Sequence, residues 1–214
     1  MKDYQVLEII RETGVCAIVR GTSAESLCGI ADALKAGGVK AVEVTFNTPG
    51  AAEMIKELSK KYGGDMVVGA GTVLDPETAR VAILSGASFI LAPSLNIGTM
   101  RICQRYSVLA VPGVCTPTEI VTAWENGAGI VKIFPAGALG SRFIKEARGP
   151  LSHIDMMAVG GVNLGNIQDY IKAGACSAGI GSELVDRKLV EAGDFEEITG
   201  RARAFINAVK NARG

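Results

Sequence analysis

Residues 127–140 read "GAGIVKIFPAGALG". The apolar run 129–134 is closed by Phe134-Pro135 and followed by small residues. That is the pattern of a buried strand handed on to a helix. Lys132 stands inside the run, between Val131 and Ile133. A strand covered on both faces has no cheap place for an ammonium group. One face of this strand must therefore look onto something other than a dry core.

Outward from this stretch the same kind of run recurs. "VCAIV" (15–19), "AVEVTF" (41–46), "MVVGA" (66–70), "FILA" (89–92) and "VLAVP" (108–112) precede it, and "MMAVGG" (156–161) and "SAGIG" (177–181) follow. Segments of helical period lie between. Their start signals are Ser23 with Glu25 and Ser26, Thr48-Pro49, Asp75-Pro76 with Glu77, and Thr116-Pro117 with Glu119. Glycines end several of them. "MKDYQVLEIIRETG" reads as a short amphipathic N-terminal helix and not a signal peptide. A last helix is expected from about Phe195 to Ala212. No linker or low-complexity tract divides the chain, so a single domain over 1–214 is expected. Eight strand–helix units predict an α/β fold, a (β/α)8 TIM barrel with a short N-terminal helix. The rival, an open doubly wound sheet, usually has fewer strands, and neither G-x-G-x-x-G nor a P-loop occurs.

Composition narrows the function. Lys plus Arg number 22 and Asp plus Glu number 22, a balance that argues against a nucleic-acid surface driven by bulk charge. Residues 81–100 carry no charge, but Ser85, Gly86, Pro93, Ser94, Asn96 and Gly98 interrupt them. A helix end, a buried strand and a loop explain them better than a membrane span. The five cysteines show no C-x-x-C spacing and fit reduced thiols in a cytoplasmic protein, most of them small core residues. The chain has 27 glycines in 214 residues, well above the usual ~7%, so tight turns and close backbone approaches are expected. The one histidine, His153, sits in the loop-like "GPLSHID" and is expected at the surface. It cannot supply the two or three imidazoles of a zinc lyase. Trp124 reads as packing.

Barrel strands alternate between the interior and the helix layer. In "AVEVTF" Val42 and Val44 belong against the helices, which turns Glu43 inward. The same alternation sends Val131 and Ile133 out and Lys132 in, and leaves Ile18 and Arg20 of "CAIVRG" inside or at the mouth. Isolated buried charges cost several kcal/mol each, roughly, and are normally paired or tied to function. One account is a structural Glu43–Lys132 ion pair with Arg20 at the rim. The other is chemical. Desolvation and the Arg20 cation disfavour the ammonium form of Lys132, and a neutral amine attacks ketones to give a carbinolamine and then an imine. Glu43 is placed to move protons through those steps. Barrels carry chemistry at the C-terminal ends of their strands, and these residues are read in the C-terminal halves of theirs. The glycine turns at Gly160-Gly161 and Gly179–Leu184 suit a phosphate, with Ser182 as a further donor; tight strand–helix turns would look the same.

The segments "VEVTFNTP", "GAGTV", "VPGVCTPTE", "VKIFPA", "AVGGV" and "GIGSEL" resemble, in order from Arg20 to about Leu184, those of the KDPG/KHG aldolase family. These are class I aldolases acting on 2-keto-3-deoxy-6-phosphogluconate or 4-hydroxy-2-oxoglutarate. The resemblance implies that Lys132 is the Schiff-base lysine and Glu43 the general acid–base. It implies that Thr72 contacts the pyruvate-derived portion, and that Pro93 and Phe134 form pocket walls. Gly160, Gly161, Gly181 and Ser182 then bind phosphate. It also implies a homotrimer. One position departs from the pattern. Many members carry an arginine where this chain has Asn47. A subgroup acting on the phosphogalactonate epimer is similar to this chain in having asparagine there and arginine on the first strand, which makes Arg20 the carboxylate ligand. The expected activity is cofactor-free and metal-free cleavage of a small-molecule substrate to pyruvate and glyceraldehyde 3-phosphate, with no nucleic-acid or membrane partner. The rivals are a phosphosugar isomerase or synthase on the same barrel and a non-catalytic metabolite-binding barrel.

Overall fold

The computed structural model describes residues Met1–Gly214. The apolar runs form nine strand segments: β1 (Val15–Val19), β2 (Ala41–Thr45), β3 (Val67–Gly71), β4 (Phe89–Leu91), β5 (Leu109–Val111), β6 (Gly113–Val114), β7 (Ile130–Ile133), β8 (Asp155–Val159) and β9 (Ser177–Ile180). All pairings are parallel, in the order β5-β4-β3-β2-β1-β9-β8-β7-β6. The run expected at 108–112 contains β5, and a further segment, β6, follows beyond it, the two being separated at Pro112, which has no N–H to give to a ladder. The two segments serve different neighbours. β5 pairs with β4 and β6 with β7, and the Lys132 N–H donates to the Pro112 carbonyl at 2.8 Å. The chain running through Pro112 therefore closes the ring. The result is the expected eight-unit barrel.

Ten helices accompany the strands: α1 (Asp3–Thr13), α2 (Ala24–Ala36), α3 (Ala51–Tyr62), α4 (Pro76–Leu84), α5 (Ile97–Arg105), α6 (Pro117–Glu125), α7 (Ala136–Arg148), α8 (Ile167–Lys172), α9 (Arg187–Ala192) and α10 (Phe195–Arg213). Asp75 caps α4 by accepting from the Thr78 N–H, and Thr116 with Glu119 forms a capping box on α6. The start signal read at Thr48-Pro49 is displaced. α3 begins at Ala51 after Gly50, because the Thr48 hydroxyl is already engaged by the Gly21 N–H at 2.9 Å. No helix is long and apolar enough to cross a membrane. His153 is exposed, its ring edge-on to Trp124 at 5.2 Å. Cys16 and Cys103 are buried as small core residues, whereas Cys115 is exposed.

Alternation along the strands makes two apolar bodies. Ala17, Val42, Val44, Val131, Ile133, Met156 and Ala158 point outward into a layer of 53 buried residues shared with the helices. Cys16, Ala41, Val67, Phe89, Leu109, Ile130 and Met157 point inward, where Val6, Leu7 and Ile10 of α1 join them. Those three positions recur at helical spacing, so one stripe of α1 plugs the barrel at the N-terminal ends of its strands. The interior is a packed core below and opens above.

Candidate active site

The charged pair is built by that alternation. Glu43 lies in the middle of β2 and Lys132 next to the last residue of β7. These strands are four steps apart round the eight-unit ring, so the two side chains enter the interior from opposite walls. Both are buried, with exposures of 1% for Glu43 and 6% for Lys132. Space for the carboxyl is made by a missing side chain, since a Cβ on Gly71 of the neighbouring β3 would lie 2.5 Å from the Glu43 carboxyl carbon.

No ion pair joins Glu43 to Lys132, so the account of the two as a structural salt bridge is not what the fold builds. Glu43 Oε2 is buried without any hydrogen-bond partner. Burial pushes this acid up to about 7, against the opposing pull of the Lys132 and Arg20 cations. Burial pushes the Lys132 ammonium down; the Glu43 charge opposes that, and the Arg20 charge adds to it. The Lys132 Nζ lies 4.6 Å from the centre of the Phe134 ring, which shields it from water on that side. Gly160 makes this cover possible, because a Cβ there would come within 3.2 Å of the same ring.

A cavity of about 590 Å³ opens over the pair. Its lining includes every position singled out from the sequence: Arg20, Glu43, Asn47, Thr72, Pro93, Lys132, Phe134, Gly160, Gly161, Gly181 and Ser182. Glu43 reaches in from the middle of β2, the others from the C-terminal ends of their strands or the loops beyond, and only barrel closure brings them together. Arg20 is exposed at the mouth. Thr72, at the end of β3, holds φ 56, a left-handed conformation that costs a β-branched residue about 1–3 kcal/mol and is found where surrounding structure imposes it. Gly160 and Gly161 have φ 90 and 77 and turn the chain away after β8. Asn163, Glu183 and Arg187 also line the cavity and were not read from the sequence. They lie in loops after the last two strands, or at the start of α9, where no periodicity predicts direction. No cluster of His, Cys, Asp and Glu suited to a metal ion is present.

A closed barrel with an inward lysine and an unpaired acid at its open end can be compared with known proteins. The family model described as KDPG and KHG aldolase matches residues 6–201. The chain belongs to that family. Over 198 residues it is 36% identical to the 2-dehydro-3-deoxy-6-phosphogalactonate aldolase of Escherichia coli (strain K12), covering 92% of this chain and 94% of that protein. It is 34% identical over 207 residues to the 2-dehydro-3-deoxy-phosphogluconate aldolase of Haemophilus influenzae, covering 96% and 97% respectively. A solved KDPG aldolase from Legionella pneumophila, with pyruvate captured at low pH as a covalent carbinolamine intermediate, matches with a TM-score of 0.86. It is 26% identical, over 92% of this chain and 96% of that one. The family is one of aldolases, which are carbon–carbon lyases.

Proposed function

We propose that the protein is a class I aldolase that uses Lys132 as its imine-forming residue. It reversibly cleaves a 2-keto-3-deoxy-6-phospho sugar acid to pyruvate and glyceraldehyde 3-phosphate. 4-Hydroxy-2-oxoglutarate, which carries the same pyruvyl end, is a second substrate and gives pyruvate and glyoxylate. One observation carries the reading: a buried lysine whose ammonium form is disfavoured faces a buried, unpartnered carboxyl at the open end of a barrel.

The chemistry runs as follows. The neutral Lys132 amine adds to the substrate C2 carbonyl, and the carbinolamine loses water to become a protonated imine. Ionised Glu43 takes the proton of the C4 hydroxyl, directly or through one water. The C3–C4 bond breaks, C4 leaves as the aldehyde, and its bonding pair moves toward the iminium nitrogen to give an enamine. Glu43 returns a proton at C3, and water releases pyruvate. An acid held at about 7 serves in both directions near neutral pH. Arg20 holds the pyruvyl carboxylate with Thr72 beside it, and Pro93 and Phe134 wall the pocket. The amides of Gly160, Gly161 and Gly181, with the Ser182 hydroxyl, take the phosphate. Asn47 together with Arg20 favours the galactonate epimer, which a side-by-side rate comparison of the two epimers decides.

The test is incubation with pyruvate, borohydride reduction and peptide mass spectrometry. The expected result is a stable adduct on Lys132. Its absence would end this reading and return the barrel to isomerase, synthase or binding roles, in which Lys132→Met leaves activity intact. We also propose a cytoplasmic homotrimer. Family resemblance supports it, and so do Val81, Leu84 and Tyr106, exposed apolar residues on the adjacent helices α4 and α5 and the turn that ends α5. Sedimentation equilibrium tests it.

A further inference from the structure

Arg20 follows the last residue of β1, and its guanidinium makes no ion pair. Its main chain, by contrast, is held on both sides. After it, the Gly21 N–H donates to Thr48 Oγ1 at 2.9 Å. Thr48 Oγ1 lies 3.1 Å from Thr45 Oγ1, and Thr45 Oγ1 lies 3.4 Å from the Val19 carbonyl oxygen, before it. Proton bookkeeping gives the chain one direction. Thr48 accepts from Gly21 and donates to Thr45, and Thr45 donates to Val19. Thr45 is 0% and Thr48 3% exposed, so water does not replace either hydroxyl. The same two residues also shape the segment carrying Asn47. The Thr48 N–H donates to the Thr45 carbonyl at 2.9 Å, and Asn47, between them, lines the cavity.

We infer that Thr45 and Thr48 are positioning residues for Arg20. They lock the arginine's backbone to the end of β2, the strand that carries Glu43, and so fix the base from which its side chain reaches the substrate carboxylate. The inference rests on the proposed role of Arg20. Orientation fixed in advance lowers the entropy lost when the anion is bound. It also accounts for a buried threonine at a helix entrance that caps no helix.

The experiment measures borohydride-trapped adduct against pyruvate concentration in the full-length protein. Thr48→Val removes the acceptor for Gly21 and raises the half-saturating pyruvate about five-fold, the range for one hydrogen bond. The yield at saturating pyruvate stays that of the wild type. Thr48→Ser keeps the hydroxyl and restores half-saturation. Thr45→Val cuts the same chain at its other oxygen and carries the test if Thr48→Val does not fold. In an Arg20→Ala background, Thr48→Val adds nothing, because its effect acts through the arginine. Unchanged half-saturation in a folded valine variant, an equal loss in Thr48→Ser, or full additivity with Arg20→Ala overturns the inference. The two levels fail separately. No adduct in the wild type defeats the aldolase reading, whereas an adduct that Arg20→Ala weakens and Thr48→Val does not defeats only this one.

Discussion

The two ends of the barrel interior handle charge in opposite ways. At the closed end, Arg11 of α1 is paired with Asp155 at the start of β8. Arg213 of α10 donates to the carbonyls of Glu12 at 2.9 Å and Cys176 at 2.7 Å. Every one of these cations has a partner, and the layer they surround is apolar, with Ile10 and Phe89 both fully buried. At the open end, Glu43 and Lys132 are buried without pairing and Arg20 is unpaired. The same strands make both ends, so backbone architecture is not the cause. A barrel selected for stability alone would pair or remove those two charges, since replacing buried ions by apolar groups is often neutral or stabilising. The unpaired end is a cost in stability, and on the proposed reading it is what makes an amine and an acid available to substrate.

Lys132→Met tests this division most severely. Cleavage and pyruvate trapping should both be lost, while the melting temperature stays level or rises, because a burial penalty is removed and the side-chain volume is kept. A large drop in melting temperature would show that Lys132 is structural after all. Glu43→Gln comes next. Its kcat should fall about 10²- to 10⁴-fold, the usual range for a positioned general acid–base, while trapping at high pyruvate persists. Wild-type kcat/KM for cleavage should climb as pH rises through about 7, and the glutamine variant should lose that limb. The stability difference carries its own sign. The folded state holds the Glu43 proton more tightly than the unfolded chain, where the ordinary value is 4.5. Wild type should therefore lose stability relative to Glu43→Gln between pH 4.5 and about 7 and change no further above it. The loss is on the order of a few kcal/mol. Urea titrations of both proteins across that range measure it.

The contrast between the ends was partly legible in the sequence. Period-two alternation decides which residues face inward, so Glu43 and Lys132 could be placed in the interior from "AVEVTF" and "GIVKIF" without a structure. Whether they pair could not, because that depends on a separation across the barrel between residues 89 positions apart in the chain. The run "VLAVP" reads as one strand, and that the segments on either side of Pro112 pair with different neighbours and close the ring is not legible in it, because closure is a pairing between distant strands. Thr48 misled for the same reason. Its local context, a threonine before proline, is a capping signal, and the Gly21 amide that takes its hydroxyl is 27 residues away. Asn163 reaches the cavity from an irregular loop and Arg187 from the first residue of α9, whose entry is set by the loop before it, so sequence spacing carries no direction for either.

Arg20→Ala sharpens the comparison at its midpoint. This arginine is exposed, so removing it leaves no buried orphan and should leave the melting temperature within the scatter expected for a surface change. A charge-assisted bond to a carboxylate is worth about 1.5–3 kcal/mol, so KM for pyruvate-bearing substrates should rise about 10- to 100-fold, measured by initial rates. An unchanged KM would move the carboxylate site elsewhere in the cavity.

The change with the smallest effect on chemistry should be Ile10→Ala at the closed end. Ile10 is fully buried among Cys16, Ala41, Phe89 and Ile130, and a cavity left in such a layer costs about 2–5 kcal/mol. Ile10 belongs to the apolar plug and does not line the cavity; the plug meets the lining only through apolar residues such as Ile18, Phe134 and Val159. Denaturant midpoints should therefore fall sharply, while the half-saturating pyruvate and the trapped yield on Lys132 remain those of the wild type at temperatures where the variant is folded. Loss of trapping in a folded Ile10→Ala protein would mean that the plug positions the lysine through the strands, and that the interior is one coupled unit, not a stable base carrying a reactive rim.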